Sequence, residues 1–265
     1  MRRGTRTLIV AAVLIAPPVA FGEDKKDDKK KEPAPVVTCV NPLGLIAGTT
    51  KTLRIRGQNL GEASAVQVTV ADGVEWPATL KSKGKSEAPK PFDAAKAGDT
   101  EVQAEVKVPP EAKAGEVAVV VVTPAGPTKS TALHVFESGA AVEEKEPNGG
   151  FKQAQEVPLG TTVLGAIQDS NDVDVFRIGG RAGERVVAEV TAERRGSLLD
   201  GTLSLYDAAG HVLATADDSA GSRDPILRAT LPSDGVYYLS LNDAGDHGST
   251  AHTYELVIRL DDGKH

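Results

Sequence analysis

Between residues 36 and 136 the apolar positions come in short β-branched runs: VVTCV, KTLRIRG, AVQVTV, VEWPATL, EVQAEVKV, EVAVVVVT and STALHVF. Gly, Pro, Asn and Asp separate them. Leu53 and Ile55 alternate with polar residues, as do Val66, Val68 and Val70, and then Val102, Ala104, Val106 and Val108. A period of two sends successive side chains to opposite faces, so each run predicts a strand with one buried face. Seven such runs over about a hundred residues predict an antiparallel sandwich. Lys81 to Asp99, KSKGKSEAPKPFDAAKAGD, is too polar and too broken by proline for a strand and reads as a long mobile loop. A second series follows: TVLGAI, DVDVFRI, ERVVAEVT, TLSLYD, HVLAT, PILRATL, VYYLSL and TYELVIRL. With turns at Asp207–Gly210 and Ser233–Gly235 these eight runs predict a second sandwich. No helix-period pattern of useful length interrupts either series.

The chain starts MRRGTR, continues with the apolar run LIVAAVLIA and reaches PPVAFG, which is the order of a signal peptide with cleavage after Gly22. The apolar run is short for a membrane span and is broken by Pro17 and Pro18, so no transmembrane segment is expected after cleavage. EDKKDDKKKEPAP comes next, with acids and lysines mixed and no apolar run, as in a solvated tether. The expected organisation is a signal peptide at 1–22, a charged tether at 23–35, a first domain at 36–136, a linker at 137–145 and a second domain at 146–261.

Composition narrows the function. The net charge is −7, and loss of Arg2, Arg3 and Arg6 with the signal peptide makes it three units more negative, which disfavours a nucleic-acid partner. Aromatic residues are only 4% of a chain that is 40% hydrophobic, so the cores must be aliphatic. The single cysteine, Cys39, excludes an internal disulfide and reads as a small buried hydrophobe in VVTCV. Trp76 and one of the adjacent Tyr237 and Tyr238 are expected in the cores. His134, His211, His247, His252 and His265 have no nucleophile elbow, HExxH or phosphate-loop pattern around them, so no enzyme activity is expected.

One stretch carries chemistry. In EEKEPNGGFKQAQEV, Glu144, Glu146 and Asn148 are two apart, so an extended backbone turns all three the same way, and Pro147 biases Glu146 away from helix. In DSNDVDVF, Asp172 and Asp174 alternate likewise. Calcium takes six to eight oxygen ligands from carboxylates, amides, backbone carbonyls and water, and these five residues supply that chemistry, with Asp169 in reserve. Zinc fits less well because no His or Cys adjoins. The competing reading is a solvated acidic linker with aspartates capping turns. A bound ion would tie the interdomain segment to the second sandwich and stiffen the joint.

Two resemblances sharpen this picture. Asn41-Pro42, the Ala47-Gly48-Thr49 turn, Gly57-Gln58-Asn59-Leu60, Pro109 and the Gly115–Val122 run resemble the IPT/TIG immunoglobulin-like domain, which implies a spacer or binding module without catalytic residues. EKEPNGGFKQAQEVPLG, GAIQDSNDVDVFRI, AGERVVAEV, GSLLDGTLSLYDAAGHVLATADD and LPSDGVYYLSLNDAG look like the bacterial pre-peptidase C-terminal domain, an accessory module of exported peptidases and other proteins. The fold expected is then all-β, an immunoglobulin-like sandwich followed by a jelly-roll-like one. Collagen-binding relatives of the second family hold calcium with acids and an asparagine ahead of the first strand. By that resemblance the role falls on Glu144, Glu146, Asn148, Asp172 and Asp174, although Gly149 stands where those relatives often have an acid. Their collagen-contacting aromatic positions correspond to Ser240, Asn242 and Ala244, which does not favour collagen. The expectation is an exported, non-catalytic binding or scaffold protein of periplasm, cell surface or medium. Its partner would be an extracellular or envelope protein or polysaccharide. The alternative is an accessory factor that assists a secreted peptidase or other hydrolase.

Overall fold

The computed structural model describes residues 33–261 apart from Ala220, together with Gly263. The expected signal peptide and residues 23–32 of the tether lie outside the described residues. Nearly all of the regular secondary structure in the described chain is strand. The first sandwich contains β1 (Val36–Asn41), β2 (Gly44–Ile46), β3 (Thr50–Gln58), β4 (Ala65–Val70), β5 (Glu75–Trp76), β6 (Ala78–Lys85), β7 (Thr100–Lys107), β8 (Gly115–Thr123), β9 (Gly126–Pro127) and β10 (Thr131–Phe136). One sheet runs β1-β3-β7-β6 and the other β2-β10-β8-β4-β5, with β9 against β8. The alternation seen along the chain becomes the core: Leu53, Ile55, Val68, Val102, Ala104, Val106, Val119, Val121 and Leu133 are all shut away from solvent. Trp76 joins them.

Two features depart from the sequence expectation. The stretch expected as a loop from Lys81 is strand as far as Lys85, in an edge strand whose side chains are mostly solvated. It pairs with β7 through the backbone ladder and the Lys81–Glu105 ion pair at 3.1 Å, neither of which apolar alternation could announce. The remainder holds a single helical turn, α1 (Ala94–Ala97), capped by Asp93 Oδ1, which accepts from Lys96 N at 2.9 Å. The buried Arg56 fastens this segment, donating to Ala97 O at 3.1 Å and to Glu87 O at 2.8 Å. It is an anchored connection.

The second sandwich contains β11 (Ala141–Glu143), β12 (Gln155–Glu156), β13 (Thr161–Ala166), β14 (Val173–Gly180), β15 (Arg185–Thr191), β16 (Gly201–Tyr206), β17 (Val212–Ala216), β18 (Ile226–Thr230), β19 (Gly235–Asp243) and β20 (Thr253–Leu260). Its sheets run β11-β13-β20-β15-β18 and β12-β14-β19-β16-β17. Phe176, Ile178, Leu203, Leu205, Leu239, Leu256 and Ile258 fill the space between them, with Tyr237 and Tyr254 as the large polar-tipped members. Tyr237 is core and its neighbour Tyr238 faces outward, half-buried. Pairing is antiparallel except at three short strands, β2, β11 and β12, which add in parallel to β10, β13 and β14.

The segment expected as a linker therefore contributes β11 to the second sandwich. The two sandwiches also touch directly. Asn41 Nδ2 donates to Thr250 O at 2.7 Å, Lys51 pairs with Glu143 at 2.9 Å, and the His134 ring nitrogen lies 2.6 Å from the buried Glu255 carboxylate. Cys39, Ala97, Leu198 and Ala251 form a small apolar cluster across the seam, with Phe92 against it. Burial pushes the Cys39 thiol up to about 12, which keeps it protonated and inert.

Candidate functional site

Glu144 follows the last residue of β11, and its N–H still donates to Leu164 O of β13 at 2.9 Å. The chain then leaves the sheet and bends at Glu146. This bend, where the sequence suggested an extended run, brings the acids together. Glu146 Oε2 accepts from Asn148 N at 2.8 Å, while Asn148 O accepts from Val175 N of β14 at 3.2 Å, so the bend is pinned to the opposite sheet. Asn148 is fully buried, and its Nδ2 donates to Glu144 Oε1 at 3.0 Å. Glu144 Oε2 accepts from Ala166 N at 2.9 Å. From β14, Asp174 points inward, where the hydroxyl of Tyr254 on β20 donates to its Oδ2 at 2.5 Å.

Carboxylate oxygens of Glu144, Glu146 and Asp174 lie within 4.8 Å of one another. Two oxygens at this place, Asn148 Oδ1 and Asp174 Oδ1, are buried with no hydrogen-bond partner among the described residues. Burial, followed by the proximity and charge of the Glu144 carboxyl, pushes the Asp174 carboxyl up to about 10. Burial also raises Glu144, and burial with the charges of Asp174 and Glu144 raises Tyr254. Of the five residues expected as ligands, Glu144, Glu146, Asn148 and Asp174 come together. Asp172 does not join their convergent oxygens: its Oδ2 caps the preceding turn, accepting from Gln168 N at 2.8 Å.

Residues 172–243 match the family described as the bacterial pre-peptidase C-terminal domain. That stretch lies within the second sandwich, from just before β14 to the end of β19. Over 104 residues the chain is also 36% identical to a probable subtilase-type serine protease of Deinococcus radiodurans, a match that takes in 38% of this chain and only 14% of that relative. Among solved structures, the pre-peptidase C-terminal domain of a Bacillus anthracis collagenase aligns over 44% of this chain and all of its own, at 19% identity and a TM-score of 0.34. A periplasmic inhibitor of g-type lysozyme from Aeromonas hydrophila aligns over 41% of this chain and 97% of its own, at 12% identity and a TM-score of 0.30.

Outside that matched stretch, the alternation of apolar and polar residues gave no sign of the back wall of the acid site. Tyr254 is eighty residues from Asp174 and sits in an ordinary-looking strand, TYELVIRL. Gly165 lies beneath the acids, where an added Cβ would come 2.6 Å from Glu144 Oε2. The GAI step of TVLGAI was the signal that could have marked it, since a glycine inside a strand often marks close approach. A second acidic group, Asp200, Asp217 and Asp218, also has oxygens within 4.8 Å. It is more exposed, and Arg223 reaches Asp200 at 3.2 Å. Asp224, which follows in sequence, serves the fold: its Oδ1 accepts from Ala192 N and Glu193 N at 3.1 and 2.7 Å. Among the described residues no helix is long and apolar enough to cross a membrane.

Proposed function

We propose that this is an exported, non-catalytic binding or scaffold protein whose pre-peptidase C-terminal domain holds a structural calcium ion on Glu144, Glu146, Asn148 and Asp174. The observation that carries the reading is the pair of buried, unpartnered oxygens, Asn148 Oδ1 and Asp174 Oδ1, beside three convergent carboxylates. An orphaned buried acceptor costs about 1–3 kcal/mol, and neighbouring carboxylates repel. A hard divalent cation relieves both, and an all-oxygen donor set with a neutral amide suits calcium better than zinc. The flexible coordination of calcium also tolerates an irregular cluster better than the octahedral demand of magnesium. When bound, the ion supplies charge neutralisation and cross-linking. The protein groups do the rest: Tyr254 orients Asp174, Ala166 N fixes Glu144, and the bend carrying Glu146 and Asn148 is held on β14.

The first sandwich fits the role of an IPT/TIG-like spacer or binding module, presenting the second domain to an extracellular or envelope protein or polysaccharide. A second reading, an accessory factor for a secreted hydrolase, draws support from the protease relative in which a similar stretch occurs. Calorimetric titration of calcium into residues 23–265 tests the metal reading. Saturable binding, weakened at least about tenfold by Glu146→Gln and by Asp174→Asn and accompanied by a calcium-dependent rise in Tm, is the expected result. Absence of heat and of any Tm shift at millimolar calcium would remove the site from the account.

A further inference from the structure

Beside the acid site lies a cavity of about 180 Å³ that neither sandwich forms alone. Asn41, Pro42 and Lys51 wall it from the first sandwich, and Glu143, Glu144 and Gly165 are among the second sandwich's contributions. Because Gly165 has no side chain, the cavity floor reaches the Glu144 carboxylate that faces the cluster. Lys51 carries the single positive charge among the lining residues, and its Nζ lies 2.9 Å from Glu143 Oε1. Both partners are partly shielded, with side chains 31% and 46% exposed. A chain otherwise rich in acid at this spot thus receives an ammonium group from across the seam, on Glu143, the residue that precedes the proposed ligand Glu144.

We propose that the first sandwich sets the cation affinity of the second through Lys51. This rests on the calcium reading above. The ammonium neutralises Glu143 and adds a positive potential at the mouth of the site, and both effects oppose an incoming divalent ion. The opposition is a coupling between two parts of the molecule, so it is reciprocal: cation uptake weakens the Lys51–Glu143 pair and the seating of the first sandwich on that edge. The pre-peptidase C-terminal domain is thereby held at a lower affinity than its own ligands would give. Docking of the first sandwich is the control.

Calcium calorimetry on residues 23–265 and its variants at low and high salt tests this. Lys51→Met should raise affinity about three- to tenfold at 20 mM salt and by a smaller factor at 0.5 M, as screening removes a charge acting through solvent-exposed space. Lys51→Arg should stay within about twofold of wild type, and Glu143→Gln should lower affinity by a factor similar to the gain in Lys51→Met. Asn41→Ala, which deletes the bond to Thr250 without changing charge, should leave affinity unchanged. An unchanged affinity in Lys51→Met, while Glu146→Gln still weakens binding, overturns the coupling and leaves the calcium site standing. Equal gains in Asn41→Ala and Lys51→Met would also overturn it, since loosening of the seam and not charge would then be the cause. If the wild-type protein takes up no calcium, both this inference and the reading beneath it fall.

Discussion

Two groups of three carboxylates in the same domain meet the same distance criterion and differ in everything else. Glu144, Glu146 and Asp174 gather around a buried amide, with two buried oxygens that have no hydrogen-bond partner among the described residues. Asp200, Asp217 and Asp218 gather mainly in water, with Arg223 at hand. Proximity of acids is common on an acidic protein, and solvent tolerates it at small cost because the effective dielectric is high. Burial with unmet acceptors is different, because the desolvation cost persists until a partner arrives. A third place sharpens the contrast from the other side. His252 is buried with Nε2 unpartnered, while its Nδ1 lies 2.9 Å from Ser249 Oγ. It lacks converging ligands and packs against the Phe92 ring. An orphaned atom alone is therefore no more a site than an acidic cluster alone.

The contrast can be broken by substitution. The largest effect is expected for Asp174→Ala, which removes a proposed ligand and also strands the Tyr254 hydroxyl. Calcium affinity should fall about 100-fold, and metal-free stability by about 1–3 kcal/mol in a urea melt. Retained wild-type affinity would sink the assignment of Asp174.

His252 gives a pH signature. Burial holds its pKa down at about 4, against about 6.5 for the unfolded chain. Between those values the unfolded state binds the extra proton, so stability falls as the pH drops from 6.5 to 4 and is fully present above that window. Wild type should lose about 3 kcal/mol more than His252→Gln across it, read from urea midpoints at each pH. Parallel pH profiles in the two proteins would show that His252 charges without cost.

Gly165→Ala should cost about 1–3 kcal/mol, because its methyl group would press on Glu144 and the Tyr254 ring where neither can retreat far. It should weaken calcium binding as well. The smallest effect is expected for the paired Asp217→Asn and Asp218→Asn substitutions, with stability within about 0.5 kcal/mol of wild type and calcium affinity unchanged. Loss of calcium binding in that variant would move the ion to the exposed cluster and reverse the comparison.

How legible was this molecule? The strands of both cores were readable because one face of each is apolar, and the period of two survives any amount of tertiary detail. The polar or very short elements at the sheet edges were not. The second half of β6, Lys81–Lys85, reads as a loop because its side chains are mostly solvated, and β2, β11 and β12 are only two or three residues long, held by backbone hydrogen bonds that any side chain permits. The acidic site was half readable. Glu144, Glu146 and Asn148 announced themselves by spacing, although a bend and not an extended run unites them. Asp172 and Asp174 looked equivalent in DSNDVDVF, yet one caps a turn and the other enters the core.

The amino-acid order by itself determined the strand series, the aliphatic cores and the presence of oxygen donors in two separate stretches, since these depend on local pattern and composition. Tertiary structure decided what those donors are worth. Pairing of β11 with β13 and of β14 with β19 carries Glu144 and Asp174 to one end of the sandwich. Tyr254 of β20, in the sheet that holds β11 and β13, reaches across to Asp174 of β14, and the seam with the first sandwich places Lys51 beside Glu143. Burial, unlike alternation, is a property of what the rest of the chain covers, and no local window of sequence contains it.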